Sequence, residues 1–288
     1  MRKHLLLCFD AFGTLFRPRT PIHKQYGDTA RKYGINGFTD EQLAQSFKNV
    51  SLTASQIIEK TFAPFLPGED KKLPPVLAPA LLHRFNSKEG YEMFSDATKL
   101  FKKFADTRPG QLYRRIDQHD DAKAMPEARL VLGLITNSDD RVPDVLSSFG
   151  LKVKPLRHGE DPRPYHPTNE PADIDFTMMS YDVGHEKPDS RIFDAASAML
   201  SEMLAAEGHQ DADLTKWRKV YVGDDLHKDA LGAIDAGWEG VFLDRAEASP
   251  DAVQTSSEDS TLVEMRTVAD GRQVPTIRDL AAVMKIIQ

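Results

Sequence analysis

Cysteine is nearly absent from this chain: Cys8 is the only one in 288 residues. No disulfide can close within it, and no zinc site can be assembled from its thiolates. A reducing setting, cytoplasmic or nuclear, fits that composition. Long apolar runs are missing as well. Nowhere do about 18 consecutive apolar residues occur, so the sequence offers no membrane-spanning helix. The opening MRKHLLLCFD imitates a secretion signal, but Asp10 cuts the run short of the roughly 7–15 apolar residues such a signal needs, and the stretch reads as a strand. Positive charge is not in excess either: 37 Lys and Arg against 44 Asp and Glu give a formal net charge of -7. That field gives no reason to expect nucleic acid or an anionic membrane as the main partner.

What the chain does have is 40% hydrophobic content, enough for one large domain or for a core with a smaller companion. Five short runs, HLLLCF, RLVLGLIT, FTMMSYDVG, RKVYVGD and EGVFLD, are apolar on both faces. Helical patterns alternate with them: DRVPDVLSSFG, PDSRIFDAASAMLSEML and HKDALGAIDAG. Strands of that kind separated by helices predict an α/β protein whose parallel sheet is covered on both sides.

Between the first and second runs lie more residues than a normal crossover holds, so an insertion is expected there. Its helical stretches, HKQYGDTARKYG, TDEQLAQSFKNVSLTASQIIEKTF and PPVLAPALLHRF, come with no convincing strand. The expected division is a discontinuous core, 1–16 with 93–288, and a small helical domain at 17–92. YEMFSDATKLFKKFAD then reads as the helix that returns to the sheet. The polar stretches 157–175 and 247–260 read as surface loops, and TIRDLAAVMKII as a closing amphipathic helix.

In open parallel sheets ligands bind beyond the carboxyl ends of the strands, so polar residues that end apolar runs are the first candidates. The first run ends in Asp10, followed by Gly13 and Thr14. The second ends in Thr136, Asn137 and Ser138, the third leads to Lys187, and the fourth gives Asp224, Asp225 and Asp229. Taken in order, FDAFGTLF, GLITNSDDR, GHEKPDSRIFDAA and YVGDDLHKDALGAIDAG resemble the four motifs of the haloacid dehalogenase superfamily of hydrolases. The resemblance implies a three-layer Rossmann-like α/β/α core and identifies the helical insert with the cap domain of many members.

The chemistry follows from charge. A phosphate ester held between carboxylates is repelled unless a cation intervenes, so a phosphoryl site containing Asp10 and Asp224 calls for Mg²⁺. Asp10 is the expected nucleophile, forming an aspartyl-phosphate that water later hydrolyses. Thr136 and Lys187 would hold the non-bridging oxygens. Asp224 would ligate the metal, while Asp225 and Asp229 would ligate it directly, act through water or orient the loop. Asn137 and Ser138 either touch substrate or cap the following helix.

Phosphatases of the superfamily read D-x-D in the first motif, the second aspartate serving as acid and base, and Phe12 stands at that position here. Its ring cannot transfer a proton, although its backbone carbonyl could still bind the metal, as that carbonyl does in the family. General acid–base catalysis contributes about 10²–10⁴-fold, so alkyl phosphates should be poor substrates and aryl or acyl phosphates better ones. The first motif also resembles the D-A-Y-G-T of 2-haloacid dehalogenases, whose halide leaving group needs no proton. VGDDLHKD, however, looks like the metal-binding fourth motif of the phosphatase branches. The favoured expectation is a Mg²⁺-dependent phosphatase of a small phosphorylated metabolite. The alternatives are a dehalogenase with Asp10 attacking carbon, and a regulatory protein that binds phosphate and metal without efficient turnover. His158 and His166 read as surface residues, and Cys8 as a small buried apolar one.

Overall fold

In the computed structural model, residues 4–47, 54–66, 72–107, 129–162, 172–209, 213–245 and 261–287 are described. Nine strands occur among them: β1 (His4–Phe9), β2 (Phe16–Pro18), β3 (Tyr91–Met93), β4 (Leu130–Thr136), β5 (Phe176–Met179), β6 (Trp217–Gly223), β7 (Glu239–Leu243), β8 (Glu264–Thr267) and β9 (Gln273–Ile277). Seven make one sheet in the order β5-β4-β1-β6-β7-β9-β8, and β2 and β3 make a separate pair. Every pairing in the large sheet is parallel except β8 with β9. The α/β class and the central parallel sheet are as expected.

β1 lies inside the sheet, with Cys8 level with Gly133 on one side and Tyr221 on the other. Alternation along a strand sends successive side chains to opposite faces. Leu6 and Cys8 pack with Phe193 and Leu200 of helix Ser190–Ala206, while the Phe9 ring stands 6.0 Å from Phe101 of helix Ser95–Thr107. Helices thus cover both faces, which is why these strands read as continuous apolar runs. Gly133 is tied to this packing, because a Cβ there would come within 2.8 Å of the Cys8 sulfur and 2.5 Å of the Phe176 ring.

The chain divides into two compact units, Met1–Phe16, Met93–Pro143 and Gly150–Gln288 forming one, and Arg17–Glu92 with Asp144–Phe149 the other. The second contains α1 (Ile22–Lys32), α2 (Asp40–Phe47), α3 (Ala54–Phe62) and α4 (Leu77–Phe85). Aromatic rings fill its interior. Tyr26 lies 6.2 Å from Phe62 and 5.0 Å from Phe85, and Phe38 lies 6.1 Å from Phe62. Buried Gln25 donates from Nε2 to the carbonyls of Thr20 and Gly90, at 2.9 Å each. Arg31 binds Asp40 and lies over the Phe38 ring, and its hydrogen bond holds the Asp40 carboxyl below the usual range.

Several local expectations need correction. The third run is a strand only as far as Met179, after which Ser180–Val183 is helical. TIRDLAAVMKII is not one helix: its first two residues end β9, and a 3-10 turn, Leu280–Ala282, precedes a short helix, Val283–Ile286. The insert was expected to lack strands, yet three-residue β2 and β3 pair at its borders. The 157–175 stretch is not all surface loop, since Asp175 is buried and its Oδ2 accepts the Leu132 N–H at 3.0 Å. His158 is exposed as expected, and Cys8 is buried. His166 and residues 247–260 lie outside the described residues.

Candidate active site at the strand ends

Asp10 follows β1 directly, and its backbone N–H donates to the Val222 carbonyl of β6 at 2.9 Å. The carboxylate is thereby fixed where the first and fourth motifs meet. Lys187 comes from the turn before helix Ser190–Ala206, whose first residues are capped by Asp189 accepting from Arg191 N–H. Asn137, just past β4, holds the Lys187 backbone at both ends: its Nδ2 donates to the Lys187 carbonyl at 3.0 Å, and its Oδ1 accepts the Lys187 N–H at 2.7 Å. The Asn137 side chain is thus engaged with Lys187, a use that neither substrate contact nor helix capping described. Ser138 does not cap the next helix, which begins at Val142. Its N–H instead donates to the Thr136 carbonyl at 3.0 Å.

The Lys187 ammonium is buried, 4% exposed, and donates to Asp10 Oδ1 at 2.6 Å, Asp229 Oδ1 at 2.6 Å and the Tyr221 hydroxyl at 2.7 Å. An ammonium has three protons, so each has a partner. Burial by itself would lower the pKa of Lys187, but the charges of Asp10 and Asp229 outweigh it and hold the group above its ordinary value. One Asp10 oxygen, Oδ1, is therefore held, and the other, Oδ2, accepts no hydrogen bond from the described residues.

On the opposite side, Thr14 Oγ1 donates to Asp224 Oδ1 at 3.0 Å. Gly13 permits this approach in two ways. Its φ of +79° is a conformation L side chains rarely adopt, and a Cβ would stand 2.1 Å from Asp224 Oδ2. Arg245, two residues past β7, steadies the same turn, donating to the Thr14 carbonyl at 2.6 Å while it binds Asp96 and lies over the Phe94 ring.

Asp10, Asp224 and Asp229 each offer an oxygen within 4.8 Å of the others. With all three ionised and Lys187 charged, the group carries two negative charges in excess. Burial pushes the Asp224 carboxyl upward, against the Thr14 hydrogen bond, and burial likewise raises Asp229 against the pull of Lys187. An all-oxygen donor set with that excess suits a hard divalent cation, so the residues fit the Mg²⁺ implied by the sequence. Asp225, for which direct ligation, action through water and orienting the loop were all open, lies outside this cluster. Its Oδ1 accepts from the N–H groups of His227 and Lys228 at 2.9 Å each, capping the π-helical turn Leu226–Leu231. Asp229 Oδ2 accepts the Asp225 N–H at 2.9 Å. Thr136 ends β4, buried. The Phe12 ring stands 4.7 Å from Phe16, edge to face, as apolar packing.

Sequence reasoning missed Tyr221. It lies inside an apolar strand run, and nothing in the pattern marks its hydroxyl as polar machinery. Burial, then the nearby Asp229 and Asp10 charges, raise its pKa well above the ordinary phenol value, so it stays protonated.

Residues 185–270, which contain Lys187 and Asp224, match the HAD-hydrolase-like family model. An uncharacterized hydrolase of Schizosaccharomyces pombe is 24% identical over 262 residues, covering 85% of this chain and 92% of that protein. Haloacid dehalogenase-like hydrolase domain-containing protein 3 of Bos taurus is 23% identical over 256 residues, covering 88% and 86%. Among solved structures, a HAD phosphatase from Thermococcus onnurineus aligns with a TM-score of 0.51 at 17% identity, covering 99% of this chain and 97% of the other. An L-2-haloacid dehalogenase aligns at 0.54 with 13% identity, covering 100% and 99%. Residues 185–270 thus resemble the HAD-like hydrolases in sequence, and the fold of the chain resembles that of these two solved structures. Phosphatases and dehalogenases both stand among its structural relatives. No helix among the described residues is long and apolar enough to cross a membrane.

Proposed function

We propose that the protein is a Mg²⁺-dependent phosphatase that acts on a small phosphorylated metabolite through Asp10. The observation that carries this reading is the cluster of Asp10, Asp224 and Asp229, two of which share the Lys187 ammonium. Two unbalanced charges favour a divalent cation and, with it, an anionic substrate. Mg²⁺, when bound by Asp10, Asp224 and the Phe12 carbonyl, supplies positive charge that offsets the phosphoryl oxygens.

Asp10 Oδ2 attacks phosphorus, a new O–P bond forms, and the bond to the leaving oxygen breaks. Lys187 holds Oδ1 throughout, keeping Oδ2 aimed. Thr136 positions a phosphoryl oxygen, and Asp229 orients Lys187 and the loop after Gly223. Water then cleaves the aspartyl-phosphate, releasing phosphate and restoring the carboxylate. Phe12 offers no proton to the departing oxygen, so aryl and acyl phosphates turn over faster than alkyl esters. Residues 17–92, a helical unit inserted just after the first motif, act as a cap that selects the metabolite.

A second reading, dehalogenation at carbon, draws on the D-A-F-G-T motif. The acidic cluster argues against it, because three carboxylates would repel a haloacid anion without a cation. A panel of p-nitrophenyl phosphate, an acyl phosphate, a sugar phosphate and 2-chloropropionate, each with and without Mg²⁺, tests both. The proposal expects Mg²⁺-dependent phosphate release that vanishes in Asp10→Asn. Chloride release without metal would replace it by the dehalogenase, and tight phosphate or metal binding with no turnover by the regulatory reading.

A further inference from the structure

We infer that Tyr221 is a positioning residue of this site, whose hydroxyl fixes the Lys187 ammonium against Asp10 by anchoring it to the end of β4. The inference rests on the phosphatase reading above and adds a residue to it.

The Tyr221 Oη donates to the Ile135 carbonyl at 2.6 Å and accepts from Lys187 Nζ at 2.7 Å. A phenol has one proton, so donation to the carbonyl leaves its lone pairs for the ammonium and settles the direction of both bonds. Asp229 Oδ1 stands 3.4 Å from the same hydroxyl. The hydroxyl therefore joins three segments: β4 through Ile135, the Lys187 turn, and its own β6. Ile135 immediately precedes Thr136, so the residue that steadies the lysine also steadies the strand presenting the phosphate-binding threonine.

The ring cannot move to another position. Tyr221 is fully buried, level with Cys8 of β1, and its ring meets Phe193 at 5.2 Å, edge to face. Asp10 and Asp229 each accept one charge-assisted hydrogen bond from the ammonium, at 2.6 Å, and so supply two directions. The hydroxyl adds a third direction, and three directions define where Nζ lies. Without it, Nζ has a free proton and room to swing, and Asp10 Oδ1 loses its fixed donor. The consequence falls on the chemical step, not on substrate affinity, because Tyr221 itself does not reach the substrate.

Tyr221→Phe keeps the ring and removes only the hydroxyl. With p-nitrophenyl phosphate and saturating Mg²⁺, kcat should fall about 10- to 50-fold while KM stays within about twofold. A crystal structure of the variant should show Nζ displaced from its place between Asp10 and Asp229. Unchanged kcat with folded protein overturns the inference, as does an equal rise in KM with kcat intact. Should the variant fail to fold, a crystal structure of the wild-type protein decides: Oη beyond hydrogen-bond reach of Nζ overturns it, and contact with both Nζ and the Ile135 carbonyl supports it. Asp10→Asn separates the two levels. Wild-type turnover that survives Asp10→Asn refutes the phosphatase reading itself, whereas turnover lost in Asp10→Asn but intact in Tyr221→Phe refutes only the role of Tyr221.

Discussion

The strand-end cluster and the helical unit of residues 17–92 hold together by opposite means. In the cluster, the buried Lys187 ammonium satisfies two carboxylates and a phenol, each with a defined direction. In the helical unit, Tyr26, Phe38, Phe62 and Phe85 fill the interior with rings whose contacts are broad and weakly directional. Charge in a low-dielectric place punishes a missing partner severely. Ring packing loses stability in proportion to the volume removed. The cluster should therefore answer to single-atom changes with lost chemistry, and the helical unit to large truncations with lost stability.

The sharpest separation comes from Asp10→Asn. Replacing one oxygen of the Asp10 carboxylate by an amide nitrogen should lower kcat by on the order of 10³-fold or more, while circular dichroism shows the fold retained. Phe62→Ala reverses the pattern. It removes a fully buried ring and should cost about 3–5 kcal/mol of stability, read by urea unfolding of the unit that contains it.

Thr14→Val tests the outer carboxylate. Losing a hydrogen bond to a charged group costs about 1.5–3 kcal/mol, so Mg²⁺ activation should need roughly tenfold or more additional metal. Expected to matter least is Asp235→Asn, which breaks the exposed pair with Arg272. Its effect on stability should stay within about 0.5 kcal/mol, and a larger loss would blur the contrast between buried and surface charge.

The parts visible in the sequence share a physical cause. β1, β4, β6 and β7 are buried on both faces, so their apolar runs stand out, and a carboxylate, threonine or glycine at a run's end marks where the sheet meets solvent. β8 left no such mark, since all four of its residues, Glu264–Thr267, are exposed. β2 and β3 are three residues each, too short for any periodicity to show. Asp10 and Asp224 were legible because charge directly after an apolar strand run is conspicuous, whereas Lys187 and Asp229 lie further on, in the turns that follow. Asn137 and Asp225 were found as polar residues, but their partners, the Lys187 backbone and the π-helical turn, are set by three-dimensional closure that linear spacing does not encode. Tyr221 escaped because within a buried strand an aromatic residue reads as packing.

Covalent capture tests the account most directly. The protein is mixed with Mg²⁺ and p-nitrophenyl phosphate, quenched in acid, reduced with borohydride and digested for peptide mass spectrometry. Residue 10 should appear as homoserine, the product of a reduced acyl phosphate, in the peptide spanning β1. Phosphate release at a steady rate with Asp10 unmodified and every reduced carboxyl found elsewhere would contradict it.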